Sequence, residues 1–108
     1  IEAAFQENAP ITVVIDNNGG LTTISQQQER LFANGSHVAT DFRDIPFHTL
    51  FEGLGGYGEL VEDPKEIAPA VRRAIASGRT ACVNVRTRGV ISPIVAAVTS
   101  KRDKASIE

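Results

Sequence analysis

The chain has 108 residues, 42% of them hydrophobic and 22% charged, which is one ordinary globular domain and no more. A net charge of −2 offers no basic field for nucleic acid or an anionic membrane, and no apolar run of about 18 residues exists to span a bilayer. One cysteine, Cys82, and two histidines exclude a disulfide framework and a multi-cysteine zinc site. With no basic, apolar leader at its start, a cytoplasmic protein is the expectation. The chain holds no methionine and opens on Ile1-Glu2-Ala3-Ala4-Phe5, which reads as the middle of a helix. A piece of a longer polypeptide is therefore expected.

The tail of a helix is predicted over Ile1 to Gln6, stopped by Pro10. Ile11-Thr12-Val13-Val14-Ile15 is β-branched and nearly all apolar, the pattern of a strand buried on both faces of a parallel sheet. Asp16-Asn17-Asn18-Gly19-Gly20 ends it with turn residues. Ser25 to Phe32 suits a helix, closed by Asn34-Gly35-Ser36. Asp44 is placed as an N-cap, with Pro46 in the first turn. Phe47, Leu50, Phe51 and Leu54 follow at the spacing of one apolar helix face, ended by Gly55 and Gly56. Glu59-Leu60-Val61 is a short strand.

Asp63-Pro64-Lys65-Glu66 then combines an N-cap, an early proline and a glutamate three residues on. Ile67, Val71, Ala74 and Ile75 make the next apolar face, up to Gly78, and Pro69 predicts a kink or a late start. Thr80 to Val85 is the last strand, and a mixed tail runs from Gly89 to Glu108. Strands and helices in alternation predict an α/β fold, a mostly parallel sheet flanked by helices.

In such sheets, ligands lie beyond the carboxyl ends of the strands. For the best strand that place is Asn17-Asn18-Gly19-Gly20. An asparagine oxygen is a hard, neutral ligand for Mg²⁺ or Ca²⁺, and glycines let a backbone carbonyl turn outward. The same residues make an ordinary strand-ending turn, and composition by itself favours the turn. The remaining candidates have plain roles. His37 and His48 read as structural, Cys82 as an inert core thiol, Tyr57 as loop packing and Arg72-Arg73 as a solvated helix face. Asn34-Gly35-Ser36 fits a glycosylation pattern that has no meaning in a cytoplasmic protein.

Pro10 to Gly20 resembles the second half of the thiamine diphosphate motif, which runs from a Gly-Asp-Gly through a helix and a buried strand to a paired Asn. Gly55-Gly56-Tyr57-Gly58, then Val61 to Ile67, then Ala74 to Arg79 and Cys82 to Val85 follow in the order of the same family. The resemblance covers Ile1 to about Thr87. It points to thiamine diphosphate-dependent enzymes of the group containing acetolactate synthases, benzaldehyde lyase, oxalyl-CoA decarboxylase and 2-hydroxyacyl-CoA lyases. It implies the C-terminal part of the cofactor-binding domain over residues 1–88, with the Gly-Asp-Gly half absent, and a C-terminal tail over 89–108 that suits an active-site lid.

Carried over by position, the resemblance implies that Asn18 gives its side-chain oxygen and Gly20 its backbone carbonyl to Mg²⁺. Asn17, Gly19, Leu21 and Thr22 would line the cofactor. The third metal ligand belongs to the absent Gly-Asp-Gly, and the glutamate that protonates the aminopyrimidine to another domain. Activity therefore needs the rest of the polypeptide and a second subunit, in a homodimer or homotetramer. Asn18-Gly19-Gly20-Leu21 resembles the Asn-Gly-Gly-Ile of oxalyl-CoA decarboxylases, but Thr22 stands where those carry Tyr. A 2-hydroxyacyl-CoA lyase is thus the first choice. Next comes an acetolactate synthase-like carboligase or a decarboxylase of free 2-oxo acids. Ser92, Lys101 and Arg102 in the tail are the substrate candidates, suited to the phosphates of CoA or of ADP at a CoA site, and equally to a frayed end. A non-catalytic α/β interaction module is the alternative of another class.

Overall fold

The computed structural model describes residues 1–32 and 34–97. They divide into two compact units. The first comprises Ile1–Asn17 and Asp44–Thr87; the second comprises Asn18–Arg43 and the segment from Arg88 onward.

The first unit carries a three-stranded sheet: β1 (Thr12–Asn17), β2 (Tyr57–Val61) and β3 (Ala81–Arg86), in the order β1-β3-β2. Both pairings are parallel, with Thr12 opposite Ala81 and Tyr57 opposite Ala81. Parallel neighbours require crossovers, and helices supply them. Helices α1 (Glu2–Gln6), α3 (Phe47–Gly53) and α4 (Ile67–Ala76) belong to this unit, and α2 (Thr22–Leu31) to the other. The expected α/β class with a parallel sheet is the one observed.

β3 lies at the centre, and all its residues but Arg86 are buried. Its side chains alternate between faces. Ala81, Val83 and Val85 form the core with Val61 and with Ala70 and Ala74 of α4. On the other face Cys82 is a buried thiol whose burial pushes its pKa up to about 11, the inert role expected of it. Asn84 is also fully buried; its Nδ2 lies 3.2 Å from His48 Nδ1 on α3. Phe51 of α3 is buried and meets Phe5 of α1 edge to face, ring centroids 6.1 Å apart.

Several local expectations shift. β1 runs two residues beyond the apolar stretch, to Asn17, because the ladder to β3 continues through Asp16 opposite Val85 and Asn17 opposite Arg86. Among the three described strands β1 is an outer one, with Val14 51% exposed, and β3 is the strand buried on both faces. α2 starts three residues early, at Thr22. Asp44 is not an N-cap. Pro46 holds that position for α3 with no side-chain cap, while the Asp44 carboxylate takes Arg86 Nη2 at 2.8 and 2.9 Å. One guanidinium nitrogen is shared between both carboxylate oxygens, and α3 begins three residues after Asp44, out of reach of a cap at that position. Of the α3 apolar face only Phe51 is buried, with Leu50 and Leu54 exposed.

Asp63 caps as expected, accepting from Lys65 N at 2.9 Å. A 3-10 turn, Pro64–Glu66, precedes α4, so Pro69 falls on the third residue of the helix, where no intrahelical donor is lost. That is the late start Pro69 predicted. Ala70 takes the buried place expected of Ile75, which is exposed. Tyr57 lies on β2, not in a loop, and donates to Glu59 Oε2 at 2.6 Å. Arg73 is no idle surface charge: its Nη2 pairs with Glu59 at 2.5 Å and with Glu66 at 3.3 Å, and the guanidinium holds the Glu59 carboxyl below its usual range. No helix among the described residues is long and apolar enough to cross a membrane.

Candidate functional site

The carboxyl edge of the sheet is set by Asn17, Val61 and Arg86. Asn17 closes β1, and its Nδ2 donates to the Ile45 carbonyl at 3.3 Å. Thr87 secures the strand end: its N–H donates to Asn17 O at 3.0 Å and its hydroxyl to Asp16 Oδ1 at 2.5 Å. Arg86, paired with Asp44 and with Glu62 at 3.4 Å, is neutralised at this edge.

In the second unit, Asn18 to Thr22 form one turn that opens α2. Asn18 Nδ2 donates to Thr22 Oγ1 at 3.0 Å, which fixes the plane of the amide. Gly19 has φ +83, a left-handed conformation that suits glycine. Gly20 pairs with Asp41 in an antiparallel bridge whose bonds come from its neighbours: Leu21 N to Thr40 O and Phe42 N to Gly19 O, both 2.8 Å. In such a pair the central residue's own N–H and C=O point away from the partner. Among the described residues, nothing donates to Gly20 O or to Asn18 Oδ1. Leu21, 45% exposed, sits at the N-cap of α2 without a side-chain cap. Among the described residues nothing accepts from the N–H groups of Thr22 and Thr23, the first two of that ten-residue helix, and they are open to an anion.

This donor set fits a hard cation and a diphosphate. Two uncommitted neutral oxygens suit Mg²⁺, which commonly takes its remaining ligands from phosphate and water. Among the described residues no group of three or more His, Cys, Asp or Glu is placed to hold a metal ion, so amide and peptide oxygens are what this chain offers.

The tail begins against the same helix. A Cβ on Gly89 would stand 2.9 Å from Thr22 Cγ2. Gln26 binds the next residues, its Nε2 donating to Val90 O at 2.7 Å and its Oε1 accepting from Ser92 N at 3.0 Å. Residues 93–97 then form a helical turn, where Arg30 donates to Val95 O at 3.1 Å. Ser92 thus lies along α2, beyond Thr22. Lys101 and Arg102 lie outside the described residues.

Residues absent from the sequence-based candidates complete the turn. Gln28, Thr40 and Asp41 hold the segment that pairs with Gly19 to Leu21. The Gln-rich stretch was legible only as helix, and nothing at Thr40 marks it. His37, which the sequence reads as structural, bridges Asp41 Oδ2 at 2.7 Å and Glu29 Oε1 at 2.8 Å. Hydrogen bonds to Asp41 and then Glu29 hold its pKa above the ordinary value. The folded chain therefore binds that proton more tightly than the unfolded one. The gain is complete below the unfolded histidine pKa, about 6.5, and is lost as pH rises through the raised folded value. Amide protection at Asp41 and Phe42 is expected to fall with rising pH across that window, and to lose this pH dependence in His37→Gln. A flat profile in the unsubstituted protein would exclude the bridge.

The model of the family described as thiamine pyrophosphate enzyme, C-terminal TPP binding domain, matches residues 1–85. The chain belongs to this family. The curated relatives agree. A probable acetolactate synthase of Mycobacterium bovis and the acetolactate synthase large subunit of Mycobacterium tuberculosis are each 39% identical over 87 residues, 80% of this chain and 16% of theirs. A 2-hydroxyacyl-CoA lyase of Arabidopsis thaliana is 28% identical over 102 residues, 90% of this chain and 17% of its own length. The chain thus spans about a sixth of the length of the relatives it matches. Thiamine diphosphate is the cofactor that this family's C-terminal domain binds, and the resemblance drawn from Pro10 to Gly20 points to the same family.

Proposed function

We propose that this chain is the cofactor-anchoring part of a thiamine diphosphate- and Mg²⁺-dependent enzyme that cleaves or forms a C–C bond next to a carbonyl. The observation that carries the proposal is the turn Asn18 to Thr22, which leaves Asn18 Oδ1 and Gly20 O uncommitted beside an uncapped helix N-terminus. Thiamine diphosphate, when bound, supplies the carbanion chemistry of such enzymes. The chain's own work is to anchor and orient. Asn18 and Gly20 give oxygens to the cation, and the N-terminus of α2 faces the diphosphate. Asn17, Gly19, Leu21 and Thr22 shape the surface around it.

The 39% identity to acetolactate synthases supports a carboligase acting on 2-oxo acids. A 2-hydroxyacyl-CoA lyase is the second reading. It is supported by the loop Asn18-Gly19-Gly20-Leu21 and by a match that extends over 102 residues, further along the chain. In that reading residues 89–108 form a lid, and Ser92, Lys101 and Arg102 meet the phosphates of an acyl-CoA or of ADP. Either activity takes the remaining polypeptide and a second subunit of a cytoplasmic homo-oligomer, with the essential glutamate on another domain.

The test is cofactor titration of the full-length protein with saturating Mg²⁺. Asn18→Ala is expected to weaken thiamine diphosphate binding by about 100-fold or more while the circular dichroism spectrum stays unchanged, since even outer-shell losses cost about 10–100-fold. Unchanged affinity in that variant would leave Asn17 to Gly20 an ordinary turn and favour the interaction module.

A further inference from the structure

The turn that offers the two oxygens has one side-chain bond of its own, Asn18 to Thr22, and leans on a second segment for the rest. Gly19 and Gly20 have no side chains to brace them, and residues 40–42 supply ladder bonds to this stretch, Leu21 N to Thr40 O and Phe42 N to Gly19 O. That segment in turn needs an anchor. Ala39 has φ +56, a left-handed conformation unfavourable for a residue with a Cβ, so its surroundings must impose it.

Gln28, on α2, is that anchor. Its Nε2 donates to Val38 O at 3.1 Å, and its Oε1 accepts from Val38 N at 2.9 Å and from Thr40 Oγ1 at 3.1 Å. One side-chain amide thus pairs with both backbone groups of Val38, as a neighbouring strand would, and reaches across Ala39 to Thr40. Thr40 is buried, and its carbonyl receives Leu21 N. We propose that Gln28 is a positioning residue for the cofactor turn: it holds residues 38–42 as a strap that fixes the peptides of Gly19 to Leu21. The strap occupies the Gly19 carbonyl and the Leu21 N–H, and so turns the Gly20 carbonyl to the opposite side. Which of two adjacent carbonyls is open to a cation is thereby decided by a residue that touches neither. This rests on the reading of Asn18 and Gly20 as the cation's ligands.

The experiment uses the full-length protein with two readouts. One is thiamine diphosphate affinity by calorimetry at saturating Mg²⁺. The other is amide exchange of the cofactor-free protein at Leu21 and Phe42, the two N–H groups that donate in the strap. Gln28→Met keeps the length of the side chain and removes all three bonds. It is expected to weaken binding about tenfold and to speed exchange at Leu21 and Phe42 by a similar factor, the scale of about one net hydrogen bond. Exchange at Val83 and Val85 of β3 stays unchanged. Gln28→Glu, which still accepts from Val38 N and Thr40 Oγ1, falls between Gln28→Met and the unsubstituted protein. Full affinity in Gln28→Met while Asn18→Ala loses it overturns the proposal. So does acceleration at Val83 and Val85 equal to that at Leu21, which is a general loss of stability. Full affinity in Asn18→Ala overturns the reading of the cofactor turn itself.

Discussion

Gly20→Ala in the full-length protein is expected to abolish measurable thiamine diphosphate binding while the β3 core stays protected from exchange. A Cβ at this position would stand 2.3 Å from the Thr40 carbonyl oxygen and 3.4 Å from Asp41 Cα. The nearer obstacle is backbone, so no rotamer change relieves it. Thr40 must retreat, and Leu21 N and Phe42 N lose their acceptors. The Gly20 carbonyl is then no longer presented. Gly19→Ala is the informative neighbour. Nothing lies within 4 Å of its added Cβ, and only the left-handed φ of +83 opposes it, a cost of about 1–2 kcal/mol. Its affinity is expected to fall less than that of Gly20→Ala. Equilibrium dialysis at saturating Mg²⁺ reads both. A Gly20→Ala protein that binds within about threefold of the original would show that the strap does not set the turn.

The second large effect concerns stability. In Gly56→Ala the new Cβ would meet Thr80 O at 2.4 Å, Phe5 Cζ at 2.8 Å and Phe51 O at 2.9 Å. Both carbonyls are in use, Thr80 O accepting from Tyr57 N and Phe51 O from Gly56 N. The methyl must force apart the end of α3, the start of β2 and the residue before β3. A destabilisation of about 3 kcal/mol is expected, the upper end for overpacking. Gly53→Ala, one turn earlier at the end of α3, has nothing within 4 Å of its Cβ. It is expected to stabilise by about 0.5–1 kcal/mol by reducing backbone freedom in the unfolded chain. Thermal unfolding of the two full-length variants should therefore move in opposite directions. A Gly56→Ala protein as stable as the original would contradict the packing at Gly56, and a destabilised Gly53→Ala the open space at Gly53.

Much of the fold was legible because short-range rules govern it. The β-branched run at Thr12 to Ile15 and the mostly apolar stretch Ala81 to Val85 are strands in the structure, and Asp63-Pro64 starts a helical segment with its own carboxylate as the cap. Where two long-range choices competed, local rules misjudged. Asp44 does not cap α3 and instead pairs with Arg86, 42 residues away. Periodicity records how apolar a segment is but not which neighbour covers it. The same limit separates Leu50 and Leu54, exposed, from Phe51, buried, on one predicted face.

The candidate site divides the same way. A paired Asn before two glycines at the end of a strand is a contiguous pattern, and its chemistry follows from residue type: neutral hard oxygens, and backbone free to turn. The residues by themselves therefore determined the class of fold and the turn, and the order of motifs from Pro10 to Val85 supplied the resemblance to the cofactor family. Only the tertiary structure decided which carbonyl stays open and what keeps it so. Gln28 lies ten residues from Val38, and His37 lies eight from Glu29. No periodicity or motif links these pairs, because each contact forms only when the chain returns from α2 and lays residues 38–42 beside Gly20.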